Sequence, residues 1–160
     1  KQKSEFTLMK KWIIIIFLIF SQMMLSQNLN EYRTLLKSGE SSEKAARDLI
    51  EKSTIAYKKT NKPLYAGFLA VGQFFMAKHI FNPLKKMKYF NDGKKTLEYA
   101  VKSDPGNLEI RLMRLITQEK APRILGYTQN ISEDRTFLTR AYKSTEDDDL
   151  KLYIKNYLKL

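Results

Sequence analysis

The sequence predicts an all-α protein, and three observations predict it. From Gln27 onward apolar residues recur at spacings of three and four, and the only interruptions are brief clusters of Gly, Pro and Asn. No run alternates β-branched and polar residues as a half-buried strand would. Composition agrees with a folded chain: of 160 residues, 43% are hydrophobic and 29% charged, which excludes a wholly disordered polymer.

The punctuation divides residues 27–160 into six to seven helices, read here as one domain. A short first helix runs from Leu29 to Ser38, with Gly39 as its expected C-cap. Ser41 or Ser42 caps a second helix ending near Thr60, with Ala45, Leu49 and Ala56 facing inward. Pro63 suits the first turn of a third helix, Leu64 to Phe81. There Leu64, Phe68, Val71 and Phe75 form a stripe that Leu69, Met76 and Ile80 widen, while Gly67, Ala70 and Gly72 permit close approach of a neighbour. A helix so apolar on most sides belongs at the centre.

Asn82-Pro83 supplies an N-cap and a first helical residue for the fourth helix, which runs to about Ser103. Phe90, Gly93, Leu97 and Ala100 share its inner face, and Lys85, Lys86, Lys88, Lys94, Lys95 and Lys102 its wet one. After the turn Asp104-Pro105-Gly106-Asn107, a fifth helix from Leu108 to about Lys120 carries Leu108, Leu112 and Leu115 on one stripe, with Ile110, Met113 and Ile116 around it. Ala121-Pro122 breaks it, and Arg123 to Gln129 reads as loop. Asn130 with Glu133 resembles a capping box opening a sixth helix to about Lys143; Thr145 with Asp148 repeats the device for a last one. Leu150, Tyr153, Ile154, Tyr157 and Leu158 give that helix a docking stripe.

Residues 1–26 read as upstream residues followed by a secretory signal peptide. Met9-Lys10-Lys11 is a cationic start, Trp12 to Phe20 is unbroken apolar sequence, and Ser26-Gln27 is the expected cleavage point. A bilayer-spanning helix needs about 20 apolar residues, more than this run supplies. Met24 is larger than the cleavage enzyme prefers, so an uncleaved anchor is the alternative. The expected location is the periplasm or the medium, or the membrane surface if the segment is retained.

The chain has no cysteine and a single histidine, His79. These two counts remove disulfides, thiolate metal sites, cysteine nucleophiles and histidine-based zinc sites. Of 29 basic and 17 acidic side chains, four lysines and one glutamate precede residue 27, so the remainder carries a net charge of +9. Such a surface suits an anionic partner or simply keeps a small protein soluble.

The run from Phe90 through Gly93, Leu97, Ala100 and Asp104-Pro105 to Asn107 resembles the second helix and exit turn of a tetratricopeptide repeat. The resemblance implies stacked helical hairpins, with small residues at 93 and 100 letting two helices meet, and a protein- or peptide-binding role on the concave side. Two departures stand beside it. Phe81 to Tyr89 lengthens the unit, and the next pair of helices lacks the small-residue signature. A wider set resembles a group of short exported proteins of unknown function from Gram-negative bacteria. It comprises Asn82-Pro83, Tyr89-Phe90, Asp104-Pro105, Glu109-Ile110-Arg111, Arg114-Leu115, Ala121-Pro122 and Leu125-Gly126-Tyr127. That group implies an address but no activity.

Arg111, Arg114 and Gln118 stand at i, i+3 and i+7 on the fifth helix and therefore share a face. They are candidates for binding an anion or a peptide carboxylate. Alternatively the arginines pair with Glu98, Glu119 or Asp134 and hold helices together. Tyr89 and Tyr127 would line the same groove, or bury their rings with the hydroxyls wet. His79 reads as a boundary side chain bonded to a neighbour. Lys85, Lys86, Lys88, Tyr89 and Phe90 have the composition of a single-strand nucleic-acid surface. With Phe90 committed to the core, no nucleic-acid partner is expected. Asp147, Asp148 and Asp149 lack calcium-loop spacing, and no phosphate loop or nucleophile elbow is present. The expectation is a binding or scaffolding module with no cofactor, metal or catalytic residues, whose partner is another envelope protein or a peptide. The alternatives are a basic structural protein tethered to the envelope surface, and a carboxylate-based hydrolase.

Overall fold

A computed structural model of the chain describes Trp12 and residues 29–160. The expected signal segment, Trp12 apart, lies outside the described residues. The described chain is all-helical. It comprises α1 (residues 29–39), α2 (Glu43–Thr60), α3 (Pro63–His79), α4 (Pro83–Ser103), α5 (Leu108–Lys120), α6 (Ile131–Ala141) and α7 (Asp148–Leu158). One-turn 3₁₀ segments sit at Arg123–Leu125 and Tyr142–Ser144. Among the described residues there is no strand, and no helix is long and apolar enough to cross a membrane.

The ends of the helices follow from local chemistry. Ser42 accepts the backbone N–H of Ala45, and Asn82 that of Lys85. Asn107 accepts those of Glu109 and Ile110, so each of these three helices starts on an oxygen that satisfies an orphan donor. Asn61 closes α2 in the left-handed conformation at φ 54°, and Pro63 and Pro83 stand at the starts of α3 and α4.

Four expectations are corrected. Gly39 is the last residue of α1, with ordinary φ, not a left-handed cap. A methyl group there would lie 2.6 Å from Phe75, so close approach is what calls for glycine. The third helix stops at His79, leaving Phe81 in the connector. Asn130 does not cap α6, because its side-chain oxygen accepts from Gln118 instead. The cap of α7 is Asp147, which accepts from Leu150, while Thr145 accepts from Asp147.

Hairpins of α2 with α3 and α3 with α4 make the first core. The close contact expected at residues 93 and 100 is present: Gly93 and Ala100 are buried. A Cβ on Gly93 would meet the Ala70 carbonyl at 3.1 Å and the Phe74 ring at 3.2 Å. Gly72 does the same for α2, its missing Cβ lying 2.8 Å from Ile50. α3 is buried on most sides, with Tyr65, Ala66, Phe68, Ala70, Val71, Phe74, Met76 and Ala77 all inside.

A second cluster gathers Leu108, Leu112 and Leu115 of α5, Leu138 of α6, and Ile154 and Leu158 of α7, with Leu150 and Tyr157 partly buried against it, so the last helix docks. Tyr153, expected on the same stripe, is instead exposed. Ile110 and Met113 of α5 belong to the first cluster. α5 is thus a wall shared by both. Arg33 of α1 reaches across, donating to Glu109 of α5 at 2.8 Å and to Asp147 at the start of α7 at 2.7 Å.

Candidate functional site

With its apolar side chains committed to the two clusters, α5 has one face left, and that face carries Arg111, Arg114 and Gln118. All three are buried. Opposite them stand Glu98 of α4 and Asp134 of α6, the latter 0% exposed. A charge so enclosed persists only when paired and hydrogen-bonded. Arg114 Nε and Nη2 donate to the two oxygens of Asp134 at 2.7 and 2.8 Å, a bidentate pair, and its Nη1 donates to Glu98 at 2.9 Å. Burial by itself would lower the pKa of Arg114, but the bonds and charge of Asp134, then of Glu98, outweigh it and raise the value above normal.

Arg111 Nη1 donates to Glu133 at 2.6 Å, and its plane covers the Phe137 ring at 4.6 Å. Its Nε lies 2.9 Å from Asp134 Oδ1 yet makes no hydrogen bond, a charge contact only. Gln118 bonds Asn130 twice, donating to its side-chain oxygen and accepting its backbone N–H. This ties the end of α5 to the start of α6.

Tyr127 completes the network. Its hydroxyl donates to Glu98 at 2.6 Å, its ring stacks on Phe74 and meets Phe90 edge-on, and the Lys94 ammonium covers it at 5.3 Å. The expectation of a wet hydroxyl is corrected: the whole side chain is buried. Burial, then the Glu98 carboxylate, raises its pKa, so the phenol stays protonated and donates. Tyr89 stands apart. It is half-buried against the first core, and among the described residues no hydrogen bond joins it to the arginines.

Of the three carboxylates proposed as arginine partners, Glu98 and Asp134 are used. Glu119 instead holds Arg135 and Tyr157. Glu133 is the partner that sequence reasoning missed, although its position three residues after Asn130 marks the first turn of α6. His79 bonds the Gly39 carbonyl at 2.9 Å, the boundary role expected of it. Among the described residues no cluster of three or more acidic or histidine side chains could hold a metal.

Outside this clamp an open groove of about 530 Å³ runs along α6, lined by Ser132, Glu133, Thr136, Phe137, Arg140 and Ala141, with Arg111 behind. These residues repeat at i, i+1, i+4, i+5 and so form one stripe. Glu133 is held below the usual carboxylate range, first by the Asn130 amide and then by Arg111, so it is ionised at neutral pH. Arg140 is exposed and makes no ion pair among the described residues. The arrangement offers an apolar strip, two hydroxyls and one uncommitted cation. Comparison with known protein families, with functionally characterised proteins and with solved structures finds no match.

Proposed function

We propose that the protein is an exported helical binding module without catalytic activity, holding a carboxylate-bearing peptide segment of a partner protein against α6. The observation that carries this reading is the groove stripe. Phe137 and Ala141 supply its apolar floor, Ser132 and Thr136 supply hydroxyls, and Arg140 supplies a free guanidinium. Residues 132–141 rise about 13 Å along the helix, the length of roughly four residues of extended peptide. Arg111 backs the floor instead of meeting the ligand, since Glu133 and Asp134 already hold it. The groove's own carboxylate is bound by Asn130 and Arg111, which supports recognition over acid–base chemistry.

Selection of a random hexapeptide phage library on the purified chain tests the proposal. Acidic or free-carboxylate sequences should be enriched, and Arg140→Glu should abolish their binding while the helical circular dichroism stays unchanged. A library yielding no enriched sequence, or clones that bind Arg140→Glu equally well, would overturn it. Export has its own test, mass spectrometry of the N-terminus in the native cell: the reading expects a mature chain beginning near Gln27.

A further inference from the structure

We infer that the end of the molecule formed by the α3–α4 connector and the turn after α5 docks on an anionic lipid surface. Three side chains are the most exposed large apolar groups among the described residues: Phe81 at 99%, Ile124 at 94% and Leu84 at 83%. They come from two connectors that the fold brings to one end. α3 ends there, α4 begins there and α5 ends there. Glu40, in the α1–α2 turn, ties these pieces by accepting from Lys78 at the end of α3 and from Lys120 at the end of α5. His79 bonds Gly39 at the same end.

The shape is convex. Every residue from Phe81 to Lys88 is exposed, so α4 projects its first turns beyond the core, and Met87 joins Leu84 on the projection. A protein groove would need a matching cavity to cover such a knob, whereas the headgroup and acyl boundary of a bilayer admits single apolar side chains to a depth of about 5–10 Å.

Charge makes the choice of partner specific. From Lys52 to Asn91 the sequence holds eight lysines and no carboxylate. Lys85, Lys86 and Arg123 stand beside the apolar tips, and none makes an ion pair among the described residues. The carboxylates nearest this end are each already held. Glu40 is bound by Lys78 and Lys120, Glu43 by Arg47, Asp92 by Lys88, and Glu119 by Arg135. Among the described residues nothing acidic therefore offsets the free cations, and lysines near a membrane surface attract anionic headgroups. The groove on α6 and this tip are separate surfaces, and the inference does not rest on the peptide-binding reading.

The absence of cysteine gives the test its precision. Phe81→Cys and, at the opposite end, Lys59→Cys are each made in the full chain and labelled with an environment-sensitive nitrobenzoxadiazole dye. Vesicles are phosphatidylcholine alone or with about a third phosphatidylglycerol. On the anionic vesicles the dye at residue 81 should brighten and shift to the blue, while the dye at residue 59 stays unchanged. Lys85→Gln with Lys86→Gln should raise the lipid concentration for half-maximal response at least about tenfold. Attachment through residues 12–20 would bring the chain to both vesicle types without moving the residue-81 signal. Four outcomes would overturn the inference. They are no change at residue 81, equal changes at both ends, an equal response on phosphatidylcholine alone, or the same response at high protein concentration without lipid, which would mean a second copy.

Discussion

At the scale of single residues, Asp134 matters most, because two arginines depend on it inside the protein. Replacing it by Ala leaves both guanidiniums buried with too few acceptors, and uncompensated buried charge costs about 3–5 kcal/mol. Urea unfolding of Asp134→Ala should show that loss. Glu133→Gln, at the exposed rim of the same network, should cost less than about 1 kcal/mol. Equal small effects would mean the clamp contributes no stability. Glu40 gives a pH signature. Folding lowers its pKa from 4.5 to about 2, chiefly through the Lys120 and Lys78 hydrogen bonds. Its contribution is therefore present above pH 4.5 and fades as the pH falls toward 2. The stability gap between the native chain and Glu40→Gln should close over that window. The arginine face was legible in the spacing of residues 111, 114 and 118, and so were two of its partners. The burial of the Tyr127 hydroxyl was not, because nothing local places Glu98 beneath a tyrosine 29 residues away.

At the scale of elements, the boundaries were readable wherever Pro, Asn or Ser carries the chemistry of a helix end, as at Ser42, Pro63, Asn82 and Asn107. They misled where another demand used the same residue. Gly39 looks like a cap but is small for Phe75, and Asn130 looks like a cap but serves Gln118. The packing of α4 on α3 rests on Gly93, whose nearest neighbour is a backbone carbonyl that cannot swing aside. Gly93→Ala should therefore lower stability by about 1–2 kcal/mol despite alanine's better helix propensity. Gly106→Ala, with nothing within 4 Å, is the control and should leave the melting temperature unchanged within error. A stabilised Gly93→Ala would show that the two helices are free to separate.

At the scale of the whole molecule, two apolar clusters share α5, and Arg33 joins α1 to both α5 and α7 across 76 and 114 residues of sequence. No periodicity reports such a pairing, so the helices could be read but not the ties of Arg33 that span the chain. α7 is held by one stripe, the Tyr157–Glu119 hydrogen bond and the Asp147 contact, whereas α3 is enclosed on most sides. Amide exchange should be slowest in α3 and faster in α7, and Arg33→Met should speed α7 further while leaving α3 unchanged. The sharing of α5 also sets the order in which the chain can mature during synthesis. When the ribosome has released residues through Lys120, Arg114 and its partner Glu98 have emerged but Asp134 has not, so the last wall of the hairpins ahead still lacks its bidentate counter-charge. Commitment to the native state waits for α6 to leave the exit tunnel, so a pulling-force profile on arrested nascent chains should peak after residue 134 clears it, not after the first four helices do.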